Sequence, residues 1–261
     1  MNKVLETIMN HKSIRKFKDI KLTNEQITTI IKAAQMAPSS LFMQDYAIIG
    51  VSDQKIKEQF YQLTKGHWVK ENGLLLIFCS DLHRISILAS DEQKKKLKLA
   101  HKFGPFKKFS TINTSIAAQN ATLTAESMGF GVVYSGAIAE HKKAVKKILK
   151  LPKNVVPLFG LCIGVPNSTP IQKPRLPLHA VYFQNEYIQD EEVQKNMLIQ
   201  YDETMKNYYA SRTDNKRVTT WSEKSLDPIN QISTSKIGFI IFALKRFINN
   251  YSKSRGEYNE K

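Results

Sequence analysis

The chain has 261 residues, of which 42% are hydrophobic and 24% charged, values ordinary for a globular protein with one large domain or a domain plus an extension. The sequence start lacks the apolar core of a signal peptide, and the longest apolar run, 237–244, is too short to span a bilayer. The two cysteines, Cys79 and Cys162, lie in apolar runs typical of buried strands, so we expect no disulfide and a soluble, cytoplasmic protein.

The first hundred residues show alternating helical and strand patterns. A short amphipathic helix is predicted over 2–10, and a capping box formed by Thr23 and Gln26 begins a second helix that runs to about Met36. Pro38 ends that helix and opens a turn. The elements expected next are a strand at 46–51, a helix over about 53–65, a strand at 74–80 and a charged helix over 84–103.

The pattern continues beyond Gly104-Pro105, which we interpret as the end of the charged helix. A helix over about 111–128 is rich in Ala, Thr, Ser and Asn, and small residues let another helix approach closely, so we interpret it as central and as a candidate for a subunit interface. A strand at 131–135, a basic helix over 140–150 and a strand at 155–164 follow. This alternation indicates an α/β or α+β layered architecture.

The character of the sequence changes after Ile188. A charged helix is predicted over 190–210, a polar and loop-like segment over 211–235, and a mostly apolar helix over 236–250. We therefore divide the chain into a core, 1–188, and a helical extension of the same domain, 189–261. Because the extension has little core of its own, we expect it to pack on the main domain or on a second subunit.

The formal net charge of +16 needs an explanation. Lysines crowd two stretches, 94–102 and 142–150, and in the second they repeat at helical spacing opposite apolar residues. They form either a solvated face without a partner or a surface that attracts polyanions or a phosphorylated small substrate. The second possibility gives an alternative function, a basic non-enzymatic protein that binds nucleic acid or an anionic membrane. No helix-turn-helix, zinc-finger or RNA-binding motif accompanies the charge.

Several classes of enzyme receive no support from motifs. The sequence has no HExxH, GxSxG, CxxC or P-loop motif, and no two of its six histidines have the i,i+4 spacing of metal ligands. The glycines of 129–136 do not match GxGxxG after a strand. They favour either a tight turn from helix to strand or a close approach of the backbone to a flat ligand.

Two basic motifs remain, HKSIRKF at 11–17 and QKPRLP at 172–177. An Arg fork with a Lys point charge suits a phosphate group. The motifs form one anion site only if the fold brings them together.

Six segments, in chain order, carry a resemblance to a known family. They are HKSIRKF, APSSLFMQDYAII, QNATLTAESMGFGVVYSGAI, VPLFGLCIGVPN, QKPRLP and YYASRTDNKRVTTWSEK. Together they resemble the FMN-dependent nitroreductase family, in its NADPH-preferring, flavin-reductase-like branch, over residues 5–225. The resemblance implies an α+β nitroreductase fold with a central mixed sheet flanked by helices. It also implies a homodimer whose C-terminal extension wraps the partner, with FMN bound at two interfacial sites.

The resemblance assigns roles to individual residues. It implies FMN contacts by His11, Ser13, Arg15, Ser39, Ser40, Tyr134, Ser135, Gly136, Lys173 and Arg175. Ser39 and Ser40 could equally be helix caps or turn formers. Tyr134 could be a half-buried aromatic residue of a strand, so for Tyr134 we predict only a backbone contact. One departure concerns TKGHWVKEN, where His67 and Trp68 stand in place of the family's flavin-contacting Gln. His67 is a candidate substitute for that Gln, or the loop has another role.

The same resemblance implies a chemistry. Arg212, with Lys216 and Arg217 close by, would attract the NADPH 2′-phosphate. Hydride would pass from NADPH to flavin N5 and then, in a ping-pong scheme, to nitroaromatics, quinones, free flavin or other small acceptors. FMN carries this reaction, so no catalytic side chain, metal, nucleic acid or membrane partner is expected.

Overall fold

A computed structural model of the chain describes residues 2–212 and 216–230. Its α-helices are α1 (Lys3–Met9), α2 (Asn24–Gln35), α3 (Gln54–Thr64), α4 (His67–Lys70), α5 (His83–Ile87), α6 (Asp91–Phe103), α7 (Pro105–Ser127), α8 (Lys142–Ile148), α9 (Glu191–Ser211) and α10 (Trp221–Asn230). Its strands are β1 (Tyr46–Val51), β2 (Leu74–Asp81), β3 (Gly131–Ser135) and β4 (Val155–Gly164). Short 3₁₀ helices span Ser40–Phe42, Gly136–His141 and Leu178–Ala180.

The strands form one sheet in the order β1-β2-β4-β3, with every neighbouring pair antiparallel. An isolated parallel bridge, outside the four strands, joins Ser13 to Val132 of β3. Helices cover the sheet, as the predicted α+β class requires. The first basic motif therefore runs beside the β3 edge of the sheet.

The core lies on both faces of β2, every residue of which is buried. Successive side chains of a strand point to opposite faces. Leu75, Ile77 and Cys79 pack with residues of α3, α4 and α8, whereas Leu74, Leu76 and Phe78 pack with residues of α2 and α7. The prediction of buried strands around Cys79 and Cys162 is confirmed, and both thiols are free.

The predicted start of α2 is confirmed in detail. The Thr23 hydroxyl accepts a hydrogen bond from the Gln26 N–H at 3.2 Å, and the Gln26 side chain accepts one from the Thr23 N–H at 2.9 Å. Ile30 and Ala34 of α2 are fully buried with the alanines of α7. Small side chains let the two helices approach closely, so α7 is central, as its composition predicts.

The structure differs from the sequence-based predictions in three places. The charged segment 84–103 forms two helices, α5 and α6, because Ser90 caps a new helix through a capping box with Gln93. The helix predicted from 111 begins at Pro105, whose missing N–H is no loss at the first helical position. The TKGHWVKEN segment contains the helical turn α4.

In the C-terminal region the helix predicted over 190–210 is confirmed as α9. The prediction of a loop over 211–235 was wrong for 221–230, which form α10. The helix predicted over 236–250 lies outside the described residues. The chain divides into two compact units, Met1–Pro170 and Ile171–Lys261; the sequence-based division at residue 188 stays a prediction. Among the described residues, no helix has the length and apolar character needed to traverse a lipid bilayer.

Candidate functional site

The first basic motif follows α1 and is held along β3 by its apolar residues. Ile14 and Phe17 are buried, and the Ile14 N–H donates to the Val132 carbonyl at 2.9 Å. A Cβ at Gly131 would lie 2.7 Å from Ile14, so only glycine permits this approach. The buried anchors fix the backbone of the motif, while Arg15 between them is exposed.

His11 of this motif contacts a carboxylate on α7. Its Nδ1 lies 2.7 Å from Oε1 of Glu126, whose side chain is only 11% exposed. The two atoms are within hydrogen-bond distance of each other. The second carboxylate oxygen, Oε2, is buried without a hydrogen-bond partner. The contact fixes the orientation of the imidazole ring.

Arg15 lies against Trp68. The guanidinium carbon is 5.7 Å from the centroid of the indole ring, within cation–π range, and the indole N–H is buried without a hydrogen-bond partner. His67 makes different contacts: its side chain is 65% exposed, lies 3.5 Å from Glu71 and is tilted against Tyr61. Of the two residues His67 and Trp68, it is therefore Trp68 that contacts Arg15.

The Ser39–Ser40 turn is anchored to α7 by Asn113. The Asn113 side-chain oxygen accepts hydrogen bonds from the Ser40 N–H at 3.0 Å and the Ser40 hydroxyl at 3.3 Å. The amide nitrogen of Asn113 donates to Oδ1 of Asp45 at 2.6 Å, and both residues are buried. Oδ2 of Asp45 is buried without a partner. Asn113 thus links the turn to a buried carboxylate.

The same turn presents two large apolar side chains to solvent. Leu41 and Phe42 are 82% and 79% exposed, and both have positive φ, 55° and 54°. Gln44 follows with φ 47°. Non-glycine residues in this region cost about 1–3 kcal/mol each, and such strain persists only where surrounding contacts fix it. Two sets of hydrogen bonds provide that restraint. Asn113 binds Ser40, and the Ser39 hydroxyl accepts a hydrogen bond from the Gln44 N–H.

The end of β3 carries the segment predicted to face a flat ligand. The Tyr134 hydroxyl lies 2.8 Å from the Thr122 hydroxyl and 3.5 Å from the Gln119 side-chain oxygen. Burial raises the pKa of Tyr134, and the hydrogen bond to Thr122 partly opposes that shift. Ser135 is buried, whereas Gly136 is exposed and a Cβ there would meet no atom within 4 Å.

Helix α7 contributes contacts that motif reasoning missed. Its polar residues hold His11, Ser40 and Tyr134, which lie in three separate segments. The residues involved are Asn113, Gln119, Thr122 and Glu126. One feature of the sequence could have indicated these contacts: several polar side chains occur in a helix whose buried residues are mostly alanines.

In the second unit, the QKPRLP motif packs on α9. Tyr201 of α9 donates a hydrogen bond to the Pro174 carbonyl at 3.0 Å, and Leu176 packs against the cluster of Tyr201, Met205 and Tyr209. Burial raises the pKa of Tyr201, and the charge of Arg175 opposes that shift. The amino group of Lys173 lies 5.8 Å from the centroid of the Tyr209 ring. The motif is thereby fixed to the middle and the last turns of α9.

The predicted dinucleotide-binding cations lie at the same end of α9. The Arg212 guanidinium is 6.0 Å from the Tyr208 ring centroid, and that of Arg217 is 5.7 Å from the Tyr209 centroid. The Arg217 N–H donates to the Tyr209 carbonyl at 3.3 Å. Lys216 is exposed. Lys173 and Arg217, predicted for different ligands, thus contact one ring.

Over 2–212 and 216–230, no three His, Cys, Asp or Glu side chains are grouped so that they could hold a metal ion.

Comparison with protein families gives two matches along the chain. A model described as "Nitroreductase family" matches residues 8–165, and one described as "Nitroreductase family, C-terminal domain" matches residues 173–241. The chain is 38% identical to FMN reductase (NADPH) of Bacillus subtilis (strain 168) over 257 residues, which is 98% of each protein. It is also 38% identical to NADPH-flavin oxidoreductase of Vibrio harveyi over 225 residues, 86% of this chain and 90% of that protein.

Solved structures agree with these matches. The structure of NfrA1 nitroreductase from B. subtilis superposes with a TM-score of 0.81 at 38% identity, over 97% of this chain and 98% of that one. The NADPH:FMN oxidoreductase from Vibrio harveyi complexed with NAD+ gives a TM-score of 0.78 at 32% identity, over 94% and 98%.

Proposed function

This chain belongs to the nitroreductase family, and from that premise we propose that it is an NADPH-dependent oxidoreductase that binds FMN and reduces small acceptors. The acceptors we propose are nitroaromatics, quinones and free flavin. The observation that carries the proposal is similarity over 98% of the chain to a relative named FMN reductase (NADPH), together with the relative from Vibrio harveyi named NADPH-flavin oxidoreductase.

The first unit offers donors that fit FMN. His11, Ser13 and Arg15 form a set of hydrogen-bond donors and cations on one short segment, which is the chemistry that a phosphate monoester requires. The space beside Gly136 leaves the backbone open to a flat ring. When bound, FMN would supply the hydride chemistry that no side chain of this protein can provide.

The protein's own part is to bind and orient. Glu126 holds the His11 ring, and Trp68 lies against Arg15, so neither side chain has to be ordered from a free rotamer when a phosphate binds. Asn113 holds Ser40 in the strained turn, and Thr122 holds Tyr134. We propose that Ser39, Ser40 and the backbone of Tyr134, Ser135 and Gly136 contact the ring and ribityl chain. For His67 we keep the predicted FMN contact as a proposal.

Further proposals concern cations and assembly. As the resemblance to the family implies, we propose that Lys173 and Arg175 bind the FMN phosphate, and that Arg212, Lys216 and Arg217 bind the NADPH 2′-phosphate. We propose a homodimer, supported by apolar side chains of α1 that stay exposed: Val4, Leu5, Ile8 and Met9. We propose that residues 189–261 form its helical extension and wrap the partner. The free, buried thiols support a cytoplasmic location.

Steady-state kinetics test the proposed function. The protein is loaded with FMN, separated from unbound cofactor, and mixed with NADPH and a nitroaromatic, a quinone or free flavin in turn. We expect acceptor-dependent NADPH oxidation with parallel-line, ping-pong kinetics for at least one acceptor. Failure to retain FMN and to oxidise NADPH with every acceptor would overturn the proposal.

A further inference from the structure

The TKGHWVKEN segment, which departs from the family pattern, ends in a buried corner between α4 and β2. Asn72 at this corner is only 8% exposed, and its side-chain nitrogen donates to the Trp68 carbonyl and to the Val69 carbonyl, at 2.7 Å each. The last carbonyls of a helix have no partner within the helix, so these two bonds complete the end of α4. Asn72 therefore fixes the turn that carries Trp68.

A buried lysine of α3 holds the same corner. The Lys57 amino group donates to the Asn72 carbonyl at 2.6 Å, and Lys57 is only 2% exposed. Burial lowers the pKa of Lys57, because the charged amine has lost its contact with water. A buried amino group costs free energy unless it is hydrogen-bonded, and the Asn72 carbonyl supplies a hydrogen bond. Lys57 thereby fastens Asn72 to α3.

The indole ring of Trp68 occupies space that only glycine leaves open at position 66. A Cβ at Gly66 would lie 2.9 Å from two carbon atoms of the ring, although the backbone there, with φ −88° and ψ 111°, is open to other residues. The ring also packs against the core cluster that contains Ile14 and Phe17, the two anchors on either side of Arg15. One cluster therefore holds both the indole and the backbone around Arg15.

We infer that Trp68 and Asn72 are positioning residues for Arg15, and that Lys57 supports them from α3. The inference rests on the proposed function, in which Arg15 binds the FMN phosphate. The contacts run in series. Lys57 holds the backbone of Asn72, and the Asn72 side chain holds the backbone of Trp68. The Trp68 ring then lies 5.7 Å from the guanidinium carbon of Arg15.

The series of contacts restricts Arg15 before a ligand binds. A free arginine side chain loses rotamer freedom when it binds a phosphate, and a side chain already held against a ring loses less. The ring can restrict Arg15 only if the ring itself is fixed, which is what Asn72 and the space at Gly66 provide. The segment thus contributes to cofactor binding without the Gln that the family has there.

A double-mutant cycle tests the inference through FMN affinity, measured by flavin-fluorescence titration of the apoprotein. Asn72→Ala is prepared alone and together with Arg15→Ala. Alone, Asn72→Ala should weaken FMN binding about fivefold, the effect of about one hydrogen bond. With Arg15 already replaced, it should change the affinity by no more than about twofold, since residues that act through one another give non-additive free energies. Equal weakening in both backgrounds would show a merely structural role and overturn the inference.

Gln54→Ala is the matched control. Gln54 is exposed, and its side-chain nitrogen donates to another carbonyl of α4, that of Lys70, at 3.3 Å. The change therefore removes the same kind of bond from the same helix without touching the turn at Trp68. It should leave FMN affinity and NADPH oxidation unchanged.

Two further changes decide the question if Asn72→Ala does not fold. Gly66→Ala keeps every side-chain hydrogen bond and displaces the indole, so it should weaken FMN binding as Asn72→Ala does. Trp68→Leu removes the aromatic face and should do the same, whereas Trp68→Phe keeps a face for the guanidinium and should stay within about twofold of wild type. Wild-type affinity for both Gly66→Ala and Trp68→Leu would overturn the inference.

A measurement without FMN separates the inference from the proposed function. The chain has two tryptophans, so in a Trp221→Phe variant the fluorescence comes from Trp68 alone. Asn72→Ala should increase the acrylamide quenching of this fluorescence, and Gln54→Ala should not. Equal quenching with and without the Asn72 side chain would overturn the inference. Wild-type NADPH oxidation reports the proposed function independently, so the two can fail separately.

Discussion

Nδ1 of His11 lies 2.7 Å from Oε1 of Glu126, a residue 115 positions further along the chain. The contact joins the first basic motif to the end of α7, and it is formed by a carboxylate whose other oxygen has no hydrogen-bond partner. It orients the imidazole through this hydrogen bond, which makes Glu126 a positioning residue for the proposed phosphate site.

Truncation of Glu126 should weaken FMN binding. Glu126→Ala removes the acceptor that orients His11, and we expect the dissociation constant for FMN to rise about tenfold. Glu126→Gln retains an acceptor oxygen and should stay close to wild type. The measurement is a flavin-fluorescence titration of the apoprotein. Glu6→Gln, an exposed change on α1, is the control. Equal affinities for Glu126→Ala and wild type would contradict the positioning role.

Asn113→Ala should destabilise the fold and release the Ser39–Ser40 turn. The change leaves buried Asp45 without its 2.6 Å hydrogen bond, which costs about 1–3 kcal/mol or more for a charged group. Urea unfolding should show this loss in the free energy of unfolding, with the slope unchanged. Ser115→Ala, an exposed change on the same helix, should cost well under 1 kcal/mol. Equal stability of the two variants would show that the network contributes little.

Arg15 and Arg175 should both contribute to cofactor affinity. Arg15→Lys keeps the charge but loses the planar fork and the contact with Trp68, so we expect several-fold weaker FMN binding, and a larger loss for Arg15→Ala. A double-mutant cycle of Arg15→Ala with Arg175→Ala tests whether one phosphate engages both motifs, since coupled residues give non-additive free energies. Retained FMN in both single variants would refute the shared assignment. Lys18→Gln serves as the exposed control.

The buried thiols of Cys79 and Cys162 should lower the free energy of unfolding at high pH. Burial raises the pKa of Cys79 and of Cys162 to about 12, from 9.0 in the unfolded chain. The unfolded chain loses these protons at lower pH than the folded protein does. The contribution of the two buried thiols to the free energy of unfolding is therefore complete below pH 9.0 and is lost as pH rises toward 12. Urea unfolding at increasing pH should show a steeper decline for wild type than for the Cys79→Ala, Cys162→Ala variant. Identical slopes would contradict the burial effect.

Local signals predicted much of the fold. The capping box of α2 and the apolar runs of β2 and β4 each determine their own element, because capping and burial act within a few residues. The break between α5 and α6 was missed, although Ser90 followed by Gln93 carried the same capping signal as Thr23 with Gln26. Helix α10 was also missed, because the polar composition of 211–235 is typical of a loop, and Pro228 lies inside the helix.

The candidate site was less accessible from sequence. Its motifs were recognised through family resemblance, whereas the contacts of Glu126, Asn113 and Thr122 arise from pairing between distant segments. Such pairing depends on how α7 is rotated against the sheet, and no spacing rule specifies that rotation.

Anaerobic titration of the purified, FMN-loaded protein with NADPH tests the central claim most directly. The visible flavin absorbance should bleach in proportion to added NADPH, reach completion near one equivalent per bound FMN, and return when a quinone or nitroaromatic is added. A protein that binds no FMN, or whose bound FMN keeps its absorbance in excess NADPH, would contradict the account.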